Sequence, residues 1–188
     1  MSWWQKLFGG TSSGQGSQSQ RQQTKQQALR SGNIHVSSED GDLVAVQRIL
    51  SAGRQSLSSR DSMQRTPLHR AARGGQVQVM QFLLEKGADI NARDEYEWTP
   101  LHMAAEANKP EAVKFLIDRK ADLSARDSDL RTALHRAAEH NSVDAIKVLL
   151  EAAPATLIPA GDSTGMTAKA VAKAMGYQQA IAMIEKYE

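Results

Sequence analysis

The sequence predicts an all-α solenoid of about five stacked helix-turn-helix repeats. Three observations predict it. The phrase Thr66-Pro67-Leu68-His69-Arg70-Ala71-Ala72 returns as Thr99-Pro100-Leu101-His102-Met103-Ala104-Ala105 and again as Thr132-Ala133-Leu134-His135-Arg136-Ala137-Ala138, starting 33 residues later each time. A fixed period of that length is the mark of a repeat array in which each unit buries its apolar face against the next. Behind each phrase a second apolar stripe stays in register: Met80, Leu83 and Leu84, then Val113, Leu116 and Ile117, then Ile146, Leu149 and Leu150. Its i, i+3, i+4 spacing is one buried face of a helix. Finally, each phrase opens with helix-start chemistry. Thr caps with its hydroxyl, Pro at the first helical position loses no hydrogen bond, and paired alanines let a neighbouring helix come close.

Composition narrows the function classes. The chain has 188 residues, no cysteine and a net charge of +2. That charge is too small to imply a nucleic-acid partner. The lack of cysteine rules out a disulfide framework and a cysteine zinc site, and it fits a reducing, cytoplasmic setting. No apolar run is long enough to span a membrane, and the N-terminus lacks the continuous apolar core of a signal peptide. The charge is unevenly spread: Lys6, Arg21, Lys25 and Arg30 give residues 1–38 a charge of +4 with no acid.

Residues 1–8 hold two of the three tryptophans. Trp3, Trp4, Leu7 and Phe8 fall on one helical face, which suits an in-plane membrane anchor or a groove-docking peptide; the alternative is a segment that folds back on the array or stays disordered. Residues 9–32 are rich in Gly, Ser and Gln and read as a flexible tether. The repeat domain spans 33–188. Ile34-His35-Val36-Ser37-Ser38 is a degenerate first copy within an N-terminal cap repeat, 33–61, whose serines suit an array end that faces solvent. Its second helix runs from Asp42 toward Gly53. Full repeats follow over 62–94, 95–127 and 128–161, with Phe82, Phe115 and Val148 flanking the buried stripe. The C-terminal cap repeat, 162–188, is shifted by two residues inserted near Pro154–Pro159. It carries Lys169 and Ala170 at the Leu and His positions and Glu185 where Leu150 would be.

His69, His102 and His135 do not form a metal site. They occur once per repeat, about 8–10 Å apart at helix-packing distance, whereas a zinc ion holds its ligands near 2 Å. No cofactor motif, G-x-S-x-G elbow or H-E-x-x-H pair occurs, so the chain is expected not to be an enzyme.

The phrase T-P-L-H-x-A-A at this period resembles the ankyrin repeat. The resemblance implies that Gly87–Asp94 and Lys120–Asp127 lead into β-hairpin-like turns projecting sideways. It implies that the histidine bridges its Thr and the neighbouring hairpin backbone. It also implies that a partner protein binds the hairpin tips and the inner face of the first helices. Carried onto this chain, that surface comprises Met63, Arg65, Tyr96, Trp98, Leu130 and Arg131 on the tips. On the inner helices it comprises Arg70, Arg73, Met103, Glu106, Arg136 and His140. The family favours Gly two residues before the Thr, but Gln64, Glu97 and Leu130 stand there and only Gly165 conforms. Three non-glycine residues imply a different turn or local strain. The expected function is a monomeric, non-enzymatic protein-interaction module. Two alternatives are a membrane-peripheral adaptor held by Trp3, Trp4, Leu7 and Phe8, and a bacterial effector acting on a host protein.

Overall fold

A computed structural model describes residues 32–188. The amphipathic segment with Trp3, Trp4, Leu7 and Phe8, and nearly all of the tether, lie outside the described residues. Eleven helices form: α1 (Ile34–Asp40), α2 (Leu43–Ser51), α3 (Pro67–Gly74), α4 (Val77–Glu85), α5 (Pro100–Glu106), α6 (Pro110–Asp118), α7 (Ala133–Glu139), α8 (Val143–Ala152), α9 (Pro154–Leu157), α10 (Ala168–Met175) and α11 (Gln178–Glu185). The inner helices α1, α3, α5, α7 and α10 stack in one row, with the outer helices α2, α4, α6, α8 and α11 behind them. The inner row is the more closely packed. Its facing residues are Ala71, Ala72, Ala104, Ala105, Ala137 and Ala138, all fully buried and small enough for backbones to approach. Most of the outer stripe is buried as expected, with Met80, Leu83, Val113, Leu116, Ile146, Leu149 and Leu150 wholly enclosed; Leu84 and Ile117 are only partly buried and pack at its margin with Phe82, Phe115 and Val148. No helix among the described residues is long and apolar enough to cross a membrane.

Each inner helix starts with a Thr–His exchange. The Nδ1 of His69 accepts the Thr66 N–H at 3.1 Å and lies 2.8 Å from the Thr66 hydroxyl. His102 and His135 do the same with Thr99 and Thr132. Because Nδ1 accepts, the ring proton sits on Nε2. That nitrogen donates to the main chain of the next hairpin: Trp98 O at 2.9 Å, Arg131 O at 3.1 Å and Met166 O at 3.1 Å. The Thr66 hydroxyl also accepts the His69 N–H at 3.5 Å, so the pair forms a reciprocal capping box, and the same box forms at Thr99 and Thr132; the threonines cap as the sequence predicts. Thr167, where Ala170 replaces the histidine, caps with its hydroxyl alone, accepting the Ala170 N–H at 3.3 Å. Both nitrogens of each ring are occupied, which accounts for these histidines without a metal.

The ends depart from expectation. Ser37 and Ser38 are buried at the positions of Ala71 and Ala72 rather than facing solvent. They face the next inner helix, and the Ser38 hydroxyl has no hydrogen-bond partner. Asn33 caps α1 in place of Thr, accepting from the N–H groups of His35 and Val36. The His35 ring reaches Ser59 O instead of a hairpin tip. Gly74 is required here for close approach: a β-carbon on it would lie 2.2 Å from Glu39 O. At the other end, the inserted residues form the short α9, which buries Leu157. Lys169, at the leucine position, turns outward to Glu185 and Glu188. These ion pairs join α10 to the end of α11 and to Glu188 beyond it.

Two predictions follow from the stack. Burial, ahead of the opposing carbonyl hydrogen bonds, lowers the pKa of His69, His102 and His135, that of His102 to about 4. A histidine in the unfolded chain titrates near 6.5. Below that value the unfolded chain binds protons that the folded rings refuse, so stability is fully present above pH ~6.5 and falls as pH drops toward 4. At pH 5 the loss from His102 alone is about 2 kcal/mol. The urea midpoint should therefore decrease between pH 7 and pH 5, above the usual carboxylate range; an unchanged midpoint would mean that the rings charge inside the fold.

The second prediction concerns Lys120, which follows α6 at the slot held by Gly87 and has φ 67°. A β-carbon in the left-handed region costs roughly 1–2 kcal/mol. The favourable charge at the helix C-terminus returns about 0.3–1 kcal/mol, and Gly adds about 0.4–1 kcal/mol of unfolded-state entropy. Lys120→Gly should stabilise the array slightly, by up to about 1 kcal/mol. The check is a higher urea midpoint at unchanged slope.

Candidate protein-binding surface

The hairpin tips are five-residue loops closed by an aspartate. In each, Asp61, Asp94, Asp127 or Asp162 accepts two backbone N–H groups on Oδ1, from the residues two and four positions on. The main chain closes the same loop, as in Asp94 N to Trp98 O and Glu97 N to Asp94 O, both at 3.0 Å. The fourth residue of every loop then has positive φ: 59° at Gln64, 62° at Glu97, 59° at Leu130 and 81° at Gly165. Of the two expectations, local strain is the one realised; the turn itself is the same in all four. Successive tips are joined by Glu95 N to Met63 O, Ser128 N to Tyr96 O and Ser163 N to Asp129 O. Among the described residues the tips form no named strand, only one isolated bridge between Gly161 and Thr167.

The second oxygen of each aspartate meets one arginine, supplied in one of two ways. Asp61 is met by Arg70 at 2.8 Å and Asp127 by Arg136 at 2.7 Å, both from the inner helix of the same repeat. Asp94 is met by Arg65 at 3.1 Å and Asp162 by Arg131 at 3.3 Å, both from the tip before. The choice is dictated by sequence. Met103 and Val171 occupy the inner-helix slot where Arg70 and Arg136 stand, so those two repeats draw on the preceding tip. Trp98 occupies the tip slot of Arg65 and Arg131, so Asp127 draws on Arg136. The Arg136 guanidinium lies 4.6 Å from the Trp98 ring centroid and also pairs with Asp129 and Glu139. For Asp162, the Thr164 hydroxyl first, then backbone N–H groups and Arg131, hold the carboxyl well below the usual range against its burial.

The residues expected at the surface therefore divide. Met103 is fully buried and presents nothing to a partner; it fills the slot that an arginine takes elsewhere. Arg136 is buried among carboxylates and against Trp98. Arg65, Arg70 and Arg131 are mostly covered by their aspartates, with Arg70 also reaching Glu39 and Arg131 reaching Glu139. Trp98 and Met63 are half-buried, and the Trp98 Nε1 is buried with no acceptor, so the ring is held by its faces. Glu106 sits 3.5 Å from His140, which is exposed. Arg73 is exposed beside Glu39. Tyr96 and Leu130 project into solvent, at 45% and 49% exposure. Met166, on the last tip, is 36% exposed. Sequence reasoning passed over a ladder of arginines. Arg60 donates to Arg93 O, Arg93 to Arg126 O and Arg126 to Gly161 O. Their spacing of 33 residues was the available signal.

The four tip aspartates are saturated by backbone N–H groups and arginines. What this surface offers is shape, charge and a few exposed apolar side chains. Among curated proteins no sequence matches the chain. Two family models do: ankyrin repeat over residues 63–95 and ankyrin repeats in three copies over residues 93–160. These matches cover just over half of the sequence and coincide with the Thr–His repeats and the aspartate-closed tips described above, and the chain belongs to the ankyrin-repeat family.

Proposed function

We propose that the chain is a non-enzymatic protein-interaction module, acting as a cytoplasmic monomer, whose partner docks on the hairpin tips and the adjoining inner helices. One observation carries this reading. Five large hydrophobic side chains are exposed among the described residues, and three of them, Tyr96, Leu130 and Met166, sit on the tips of three consecutive hairpins. Nothing in the fold requires them to be apolar, since the tips are closed by main chain and aspartate. Exposed apolar groups gathered on one rim mark an interaction site rather than scattered surface, and aromatic residues are enriched where binding energy concentrates. Arg73, Glu106 and His140 extend the surface onto the inner helices. Ankyrin repeats generally bind other proteins, which supports the same reading.

The test compares immobilised wild type with Tyr96→Ser/Leu130→Ser/Met166→Ser and with a rear-face control, Gln81→Ser/Lys114→Ser. Surface changes of this kind leave stability within about 0.5 kcal/mol each, so all three proteins should melt alike. A partner captured from cell extract should be lost by the tip variant, by roughly 2 kcal/mol or more of binding energy, and kept by the control. Equal capture by tip variant and wild type would overturn the assignment of the surface.

A further inference from the structure

We propose that the tip surface of the second to fourth hairpins receives the N-terminal segment of the same chain, residues 1–8, so that a partner binds by displacing it. The proposal rests on the reading of the tips as a binding surface and adds what covers them in the free protein.

Charge is the first argument. Around Arg131 and Arg136 four carboxylates, Asp127, Asp129, Glu139 and Asp162, share two guanidiniums. The guanidiniums are recessed, while the Asp129 side chain is 55% exposed. Glu95 is exposed and has no ion pair among the described residues, Glu97 shares Arg93, and Glu106 faces His140. Apart from Arg93, which is exposed and paired with Glu97, the guanidiniums here are recessed, and the surface around Tyr96, Leu130 and Met166 carries excess negative charge. It calls for a segment that is basic and apolar together. The first 31 residues carry Lys6, Arg21, Lys25 and Arg30, no acid, and the apolar set Trp3, Trp4, Leu7 and Phe8.

The same argument disfavours the rival position. A groove of about 460 Å³ lined by Leu50, Leu57 and Phe82 is apolar enough, but its one charged lining residue is Lys86. The adjoining cleft carries Arg60 and Asp89 together and so offers no excess negative charge. Neither attracts a basic tail.

Reach is the second argument. The described chain begins at Gly32, beside Ile49 of the first repeat. The second to fourth tips lie two to four repeats along, roughly 20–40 Å at helix-packing spacing. A Gly/Ser/Gln-rich coil of 23 residues, the length from Gly9 to Ser31, has a root-mean-square span of roughly 26 Å. Span and distance match, the condition under which tethering gives an effective concentration in the millimolar range. A contact too weak to detect between separate molecules is then well populated within one.

The chain has no cysteine, so Ser12→Cys gives one attachment point for a nitroxide on the isotope-labelled full chain. Amide signals of residues 95–97, 128–130 and 163–165 should broaden selectively. The broadening should be lost in Trp3→Ser/Trp4→Ser and on raising salt from about 0.1 to about 1 M, which shortens the screening length from about 10 to 3 Å. Broadening centred on Leu50, Leu57 and Phe82, or confined to residues next to Gly32, would overturn the proposal. So would broadening seen only between a spin-labelled and an isotope-labelled molecule, since the occupant is then a second copy. If any of these occurs while the tip variant still loses the captured partner, the binding surface stands and only its self-occupancy falls.

Discussion

A neutral imidazole that ties three pieces of chain together is the interaction on which the array depends. Its Nδ1 fixes the first turn of its own helix through the Thr N–H, and its Nε2 fixes the hairpin of the next repeat through a carbonyl. One side chain thus sets both the internal geometry of a unit and its register with the neighbour. The arrangement needs one nitrogen to accept and the other to donate, which only the neutral ring does. Burial enforces that state, because a charged ring would lose its hydration and turn a proton toward the Thr N–H. The ends obey the same logic. Ala170 replaces the histidine in the C-terminal repeat, and there the Thr167 hydroxyl caps α10 without an imidazole partner.

The second constraint is conserved charge balance inside the hairpins. Each buried aspartate closes its loop with one oxygen and leaves the other needing a donor. An unpaired carboxylate in that position would be strongly destabilising, since the desolvated charge has nothing to offset it. The chain meets the need from either of two places, and the residues at those places are therefore linked. Trp98 can occupy its tip slot only because Arg136 covers Asp127. Met103 can be apolar only because Arg65 covers Asp94. Arg136 and Arg65 belong to the framework first. Their presence near the tips follows from loop closure, whatever a partner requires.

The helices and their buried faces were legible because both rest on local periodicity: the 33-residue phrase and the i, i+3, i+4 stripe identify them directly. The Glu185 substitution likewise marked the outer side of the last helix. The arginines were harder. A charged residue near a loop looks exposed in sequence, and whether it meets an aspartate depends on which residue, Met103 or Trp98, blocks the other route. Ser37 and Ser38 misled for a related reason. Polar residues at an array end suggest solvent, yet they are small enough to pack where alanines pack. The Arg60 ladder carried a signal that could be read, the repeat register itself, applied to positions outside the phrase.

What is left over after these constraints identifies the part of the molecule free to vary with partner. Within each tip the aspartate is committed to loop closure. The last residue lends its carbonyl to an imidazole where one precedes it, and its side chain, when arginine, to the next aspartate. The third residue lends its carbonyl to the next tip, but the side chains of the third and fourth residues close no loop, although Asp129 pairs with Arg136 and Glu97 with Arg93. The fourth, moreover, sits in the left-handed region, where glycine would be free of strain and a side chain costs on the order of 1 kcal/mol. Leu130 occupies that position while remaining 49% exposed, so it recovers little of the cost by burial. Glu97 and Gln64 bear the same strain on the other tips. A residue that is strained, exposed and not needed by the fold has its effect outside the fold. Tyr96 beside Glu97, and Asp129 beside Leu130, then become adjacent choices on a rigid frame, exchangeable without disturbing the histidine bridges beneath them.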